Sequence, residues 1–238
     1  MRSGDYPLAA AVEQAIQQSQ QFYFEIDPKR DDEFGRKLQT AAKLPHGVQI
    51  KDKIHAKTWD YLSKSARGGG TNWMNLKAWA IAMFVLEYPL QERLSTAFGL
   101  DNYVEKKARA RGRPMRGLES VDDHIGVFSG MSDLESEACL LEAIVYASET
   151  DARTREMMAA WKAGNTDRLF ALEMPDLKDV PGLNPRLLGQ RNARWIPVIE
   201  KAIQSGAPTL IVAGAMHFSG PNSVLNMLRA KGYQIEQL

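Results

Sequence analysis

Thr209-Leu210-Ile211-Val212-Ala213-Gly214-Ala215-Met216-His217 is the stretch that decides how this chain folds. Its first five residues are an apolar run rich in β-branched side chains, the pattern of a buried strand. Ser219-Gly220-Pro221 predicts a new helix with Pro221 in its first turn and Gly232 at its close. Gly214 allows a tight turn or the close approach of another group. His217 therefore falls just past the C-terminal end of a core strand, in the crevice where open α/β sheets bind ligands. An imidazole held there is a candidate metal ligand or proton carrier, and the plainer alternative is a structural histidine.

Working outward, two other segments end in acids. Phe22-Tyr23-Phe24-Glu25-Ile26-Asp27 alternates, with Phe22, Phe24 and Ile26 on one face and Tyr23, Glu25 and Asp27 on the other, until Pro28 ends it. Pro114-Met115-Arg116-Gly117-Leu118-Glu119 is a second short segment closing on a carboxylate, with a helix starting near Ser120-Val121-Asp122. If the three strands are parallel neighbours, Glu25, Asp27, Glu119 and His217 gather along one rim. Such oxygen and nitrogen donors suit a divalent metal or general acid–base chemistry. Helix capping is the alternative, and it suits Asp27 and Ser120 better than Glu25.

The 238 residues suffice for one α/β domain over positions 1–238, with 44% apolar and 25% charged residues as in globular chains. A net charge of +1 gives no global pull toward nucleic acid or acidic membranes. Cys139 has no second cysteine to pair with and falls on an apolar helical stripe with Leu134, Ala138 and Leu141, so it reads as core. The apolar run Ala78–Leu86 is far short of the roughly 20 residues that span a bilayer. It predicts a buried helix, with a lid or membrane-surface helix as the alternative. Residues 1–20 show no signal-peptide pattern.

Helices are predicted after Leu8, over Asp31–Lys43, through most of Lys51–Leu100, over Asp101–Arg111, and as two or three units in 121–173 with breaks at Asp151 and at Gly164–Asp167. Gly68-Gly69-Gly70 lacks the Lys-Ser/Thr sequel of a phosphate-binding loop and reads as a plain turn. Lys106, Lys107, Arg109, Arg111, Arg113 and Arg116 form a basic run that reads as a solvated face. Tyr233-Gln234-Ile235 is expected as a final short strand. These elements predict an α/β fold: a small central β-sheet with flanking helices and a large helical insertion.

One helix carries an odd charge. Leu188, Arg191, Asn192, Trp195, Ile199 and Ile203 share one face, and a guanidinium on an apolar stripe needs an acid. The rim carboxylates are the obvious partners. Arg191 then either orients Glu25 or neutralises an oxyanion, or makes a structural ion pair. Pro197 either kinks this helix or starts a new one.

Tyr6-Pro7-Leu8, Phe24-Glu25-Ile26-Asp27, Leu100-Asp101-Asn102-Tyr103, Gly117-Leu118-Glu119, Trp161-x-x-Gly164-Asn165, Arg191-Asn192-x-x-Trp195 and Gly214-Ala215-Met216-His217 with Gly220-Pro221 occur in one order along the chain. In this the chain resembles the TraB/GumN/PrgY family, least so over residues 45–75. The resemblance implies a core like those of erythromycin-esterase, ChaN-like and Tiki proteins. It also implies a site of two G-x-x-H motifs, a strand-end Glu and a helix Arg. By position, His217 is the second motif's histidine, Glu25 the acid and Arg191 the arginine, with Glu25 and His217 as metal ligands. Asp27, Glu119, His124, Asn192 and Gly214 take supporting places.

His124 stands where the family usually has Gln. The first G-x-x-H motif and its strand normally precede Tyr-Pro-Leu, so the resemblance implies a domain incomplete at its N-terminus, with an N-terminal strand missing. His46 and His55 do not replace it by motif. Two ligands are fewer than the three a catalytic metal site usually has, unless Asp27, Glu119 or His124 makes up the number. The resemblance thus implies a metal-dependent hydrolase, peptidase-like, with a divalent cofactor and a peptide or small-molecule substrate, inactive if truncated. The alternative it implies is a non-catalytic peptide- or signal-sequestering protein of the PrgY kind. A signal on a preceding segment would imply export, to the periplasm or a membrane anchor.

Overall fold

The computed structural model describes residues 3–65, 72–86, 99–147, 150–173 and 180–237. Three short strands, β1 (Gln21–Phe24), β2 (Met115–Gly117) and β3 (Thr209–Val212), pair in the order β2-β1-β3. Both pairings are parallel, Phe22 opposite Met115 and Leu210, and Phe24 opposite Gly117 and Val212. All three strands therefore end at one rim.

Eleven α-helices occur among the described residues. The first seven are α1 (Ala10–Gln18), α2 (Asp31–Ala41), α3 (Ala56–Ser65), α4 (Ala78–Ile81), α5 (Leu100–Ala110), α6 (Val121–Ser129) and α7 (Asp133–Ala147). They are followed by α8 (Thr150–Lys162), α9 (Thr166–Glu173), α10 (Gln190–Gln204) and α11 (Val224–Ala230). The chain is thus an α/β fold whose small parallel sheet is flanked by helices, most of them between β1 and β3.

Strand alternation sorts the core into two layers. Phe22, Phe24, Met115, Leu210 and Val212 pack with Ile16 of α1 and Val104 and Ala108 of α5. Tyr23 and Ile211 face the other way, against Trp195, Ile196 and Ile199 of α10 and Leu228 of α11. A separate cluster joins Ile50, Leu62 and Ile81 to Leu140 of α7, so the helical insertion has its own core. Phe22 and Trp195 are both fully buried.

Several local expectations change. The strand predicted to Asp27 ends at Phe24, because Asp27 caps a 3₁₀ turn at Pro28–Arg30, its side chain accepting from the Lys29 N–H at 3.0 Å. Gly117 explains how this bend fits beside β2: a Cβ there would stand 2.7 Å from the Asp27 nitrogen. Tyr233-Gln234-Ile235 is not a strand, since the Tyr233 N–H closes α11 on the Leu228 carbonyl. The helix expected from Pro221 starts at Val224 instead, where the Ser223 hydroxyl accepts from the Asn226 N–H. Residues 121–173 hold four helices rather than two or three, and Asp151 lies inside α8.

Pro197 sits within α10, which follows a wider turn at Pro185–Gly189. Over Lys51–Leu100 the described residues form short pieces, and Gly68-Gly69-Gly70 lies outside the described residues. Ala78 to Ala82 are buried, as a core helix requires. Cys139 is only half-buried, packed beside Trp79 and Ala80. In the basic run, Lys107 pairs with Glu13 and Arg109 with Glu105, as on a solvated face. No helix among the described residues is long and apolar enough to cross a membrane.

The central strand should dominate stability. Phe22→Ala is expected to cost about 3–5 kcal/mol in denaturant unfolding, the range for emptying a buried phenylalanine site.

Candidate functional site

The rim of the sheet holds a closed network of charges built on backbone geometry. Past the formal strand ends, the Leu118 N–H donates to the Phe24 carbonyl at 2.8 Å and the Glu119 N–H to the Glu25 carbonyl at 3.0 Å. That pairing sets the two acids side by side. On the other flank, the Gly214 N–H donates to Glu25 Oε1 at 2.7 Å. A Cβ at Gly214 would press to 3.3 Å from that oxygen, so the glycine keeps the approach open.

Arg191, in the first turn of α10, enters from the layer opposite Phe22. Its Nη2 donates to Glu25 Oε2 at 2.6 Å and to Glu119 Oε1 at 2.5 Å, and its Nε to the Glu119 carboxylate at 3.1 and 3.3 Å. Nη1 donates to His217 Nε2 at 3.1 Å and to the Leu187 carbonyl at 3.3 Å. The Trp195 indole N–H reaches Glu119 Oε2 at 3.1 Å. Residues 191 and 195 are one helical turn apart, so one face of α10 serves both carboxylate oxygens.

His217 is held as a neutral ring. Its Nδ1–H donates to Asn192 Oδ1 at 2.5 Å while Nε2 accepts from Arg191. The Asn192 amide is itself oriented by donating from Nδ2 to the Asn222 carbonyl at 2.7 Å. Trp195 lies against the imidazole with ring centres 4.2 Å apart. Burial pushes the His217 pKa down to about 4, outweighing the opposite pull of Glu25. Burial would raise Glu119, but hydrogen bonds from His124 and Arg191 more than reverse this and hold it at about 2. Glu25 is likewise lowered, burial being overcome by Arg191 and the Gly214 N–H. Both carboxylates are therefore ionised beside a fixed guanidinium.

The structure thus brings together Glu25, Glu119, His124, Arg191, Asn192, Gly214 and His217. It does not bring in Asp27, whose carboxylate is spent on the Lys29 cap. Two participants lay outside the sequence reading of the site. Trp195 was legible as the helix partner of Arg191 at i+4. Asp101, at the start of α5, has its pKa raised by burial and then by the charge of Glu25. Its signal was the Leu100-Asp101-Asn102-Tyr103 segment.

Of the two ligands the resemblance implies, Glu25 lies in a group of donors close enough to share a cation, together with Glu119 and His124. Glu25, Glu119 and His124 offer ligand atoms within 4.8 Å of one another. His124 Nδ1 lies 2.7 Å from Glu119 Oε1 and 3.9 Å from Glu25 Oε2. His217 has both nitrogens engaged, and its Nε2 is 3.9 Å from Glu25 Oε1. Two carboxylates and an imidazole suit a divalent metal in kind. The Arg191 guanidinium now neutralises those carboxylates, so metal and Arg191 compete for the same charge.

With this geometry in view, the match along the chain becomes informative. The model of the TraB/PrgY/gumN family matches residues 1–237, and the chain belongs to that family. Comparison with curated proteins and with solved structures gives no match.

Two measurements probe the network. His217 binds its proton less readily folded than unfolded, so its contribution is complete above pH 6.5 and is lost as pH falls toward 4. In metal-free protein this should remove up to roughly 3 kcal/mol of stability. Urea titrations across pH 4–8 should show that slope between pH 6.5 and 4.5, flattened in His217→Asn. Separately, Arg191→Met strands two carboxylates and should cost about 3–5 kcal/mol of unfolding free energy. The further loss on adding Glu119→Gln should be less than additive.

Proposed function

We propose that this chain is a metal-dependent hydrolase of acyl bonds, peptidase-like in its substrate, whose centre is Glu25, Glu119 and His124 with His217 and Arg191 beside them. One observation carries the reading: donors from two strand ends and a helix converge within 4.8 Å, next to a neutral, buried imidazole.

When bound, a divalent cation supplies Lewis acidity to a water and to a substrate carbonyl. This chain's residues do the rest. Glu25, Glu119 and His124 would hold the cation. His217, neutral at pH 7, takes a proton at Nε2 once Arg191 Nη1 has left that nitrogen, and Asn192 fixes the tautomer through Nδ1. Arg191, once drawn off the carboxylates, presents its fork to negative charge developing on the substrate oxygen. The Gly214 N–H keeps Glu25 directed at the centre.

A second reading, sequestration of a peptide or signal without turnover, is favoured by the way Arg191 already satisfies both acids and His217. Manganese, zinc and cobalt titrations followed by calorimetry separate the two. The hydrolase reading expects about one cation per chain. His124→Ala and Glu119→Gln should weaken it by at least about tenfold, and His217→Ala less so. It also expects chelator-sensitive cleavage of quenched-fluorescent peptides. No cation uptake and no cleavage, with peptide still bound in chelator, would sink it and leave sequestration.

A further inference from the structure

Exposed apolar surface is concentrated on one face of the helical insertion. Leu134, Leu141 and Val145 of α7 are 61%, 41% and 56% exposed, and Tyr61 of the neighbouring α3 is 61% exposed. These four are most of the large apolar side chains left exposed among the described residues. Together with the half-buried Ala138, the three α7 residues form a stripe spaced four, three and four, the 3.5-residue period of a helix that packs along another helix. The opposite side of α7, at Ser136, Leu140 and Ala143, is already buried.

α3 and α7 lie side by side and run the same way. Lys53 meets Asp133 at 3.2 Å, the His55 N–H donates to Glu137 at 2.9 Å, the Thr58 hydroxyl also donates to Glu137, and Leu62 shares a cluster with Leu140. One side of the pair is covered. The Trp79 N–H of α4 donates to Ser136 Oγ at 2.9 Å, Cys139 packs beside Trp79, and Trp59 meets Trp73 with ring centres 6.0 Å apart. Residues two apart on a helix point about 200° from each other. Leu141 therefore turns away from the side that Cys139 faces, and Tyr61 from the side that Trp59 faces, so both belong to one outer face. Lys57 and Lys64, four before and three after Tyr61, stand on that face too and are exposed.

Charge selects what this face takes. α7 contains Asp133, Glu135, Glu137 and Glu142 and neither lysine nor arginine, whereas the exposed side of α3 carries Lys57 and Lys64. An anionic lipid surface would attract α3 and repel α7. A second copy turned about an axis parallel to the two helices lays α7 of one chain along α3 of the other, acid against base in both halves of the contact. A two-fold perpendicular to the helices would instead set α7 on α7, acid against acid. The lengths agree, since Leu134 to Val145 span about 16 Å and the ten residues of α3 about 15 Å.

We propose that the α3–α7 face is the interface of a two-fold homodimer, in which the apolar stripe of each chain packs against Tyr61 of the other. A pure two-fold allows no slip along its axis. Leu62 is level with Leu140 within one chain, so Glu142 of one copy stands opposite Lys64 of the other. Two short helices per copy make a small interface, so a dissociation constant in the micromolar range is expected. The pairing depends neither on a metal nor on hydrolysis.

Sedimentation velocity of the full chain in chelator, from about 1 to 200 μM, should show a reversible rise toward twice the chain mass. Leu141→Lys and Tyr61→Ala, both at exposed positions, should keep the circular dichroism and melting temperature of the parent, and each should weaken association by at least about tenfold. Lys64→Glu or Glu142→Lys alone should weaken it by at least about threefold, and the two in one chain should restore it. A monomer throughout the range, parent-like association of Leu141→Lys and Tyr61→Ala, or no recovery in the double variant would overturn the proposal. So would binding to phosphatidylserine vesicles in place of self-association. Because metal is excluded throughout, loss of the hydrolase reading leaves this result unaffected.

Discussion

The guanidinium of Arg191 is the interaction on which the rest of the site depends. It joins the ends of β1 and β2, through Glu25 and Glu119, to the turn after β3, through His217. None of these groups could be buried alone, because an ionised carboxylate stripped of water is strongly destabilising without a partner. Arginine suits the position because its planar fork presents several donors at fixed angles. A lysine would offer only a point charge there. The indole of Trp195 extends the same constraint, bonding Glu119 at its nitrogen and covering His217 with its ring.

This arrangement couples stability to chemistry. The cation that allows two acids to lie buried at the rim also occupies the charge a metal would need. Any cation held by Glu25, Glu119 and His124 must take over the electrostatic work of Arg191. The lowered pKa values of both acids keep them ionised for either partner. A site of this kind stores function in a network that also secures the fold, the usual setting for a trade-off between the two.

The parallel sheet is what makes the network possible. Three strands running the same way end together, and three loops deliver Glu25, Glu119 and His217 to one rim. Alternation along β1 and β3 places Phe22, Phe24, Leu210 and Val212 in one layer and Tyr23 and Ile211 in the other. The layer containing Tyr23 is the one α10 covers, so Arg191 and the rim meet on the same side.

Local pattern was enough to read some features. The apolar runs around Phe22 and Leu210 as strands, the Arg191 charge on an apolar helix stripe, and the placing of Glu25, Glu119 and His217 at strand ends follow from side-chain period and charge. The ordered motifs pointed to the family by themselves. Tertiary contacts decided the rest. Asp27 caps its own turn, Gly117 admits that bend, and His124, five residues past Glu119, becomes a nearer partner for Glu119 than His217, while both histidines lie 3.9 Å from Glu25. Tyr233-Gln234-Ile235 has strand-like residues but pairs with no strand among the described residues, and Pro197 is tolerated inside α10. Periodicity reports which face of an element is apolar. It carries no information on which distant polar group arrives first at a given hydrogen bond, and that competition set the composition of this site.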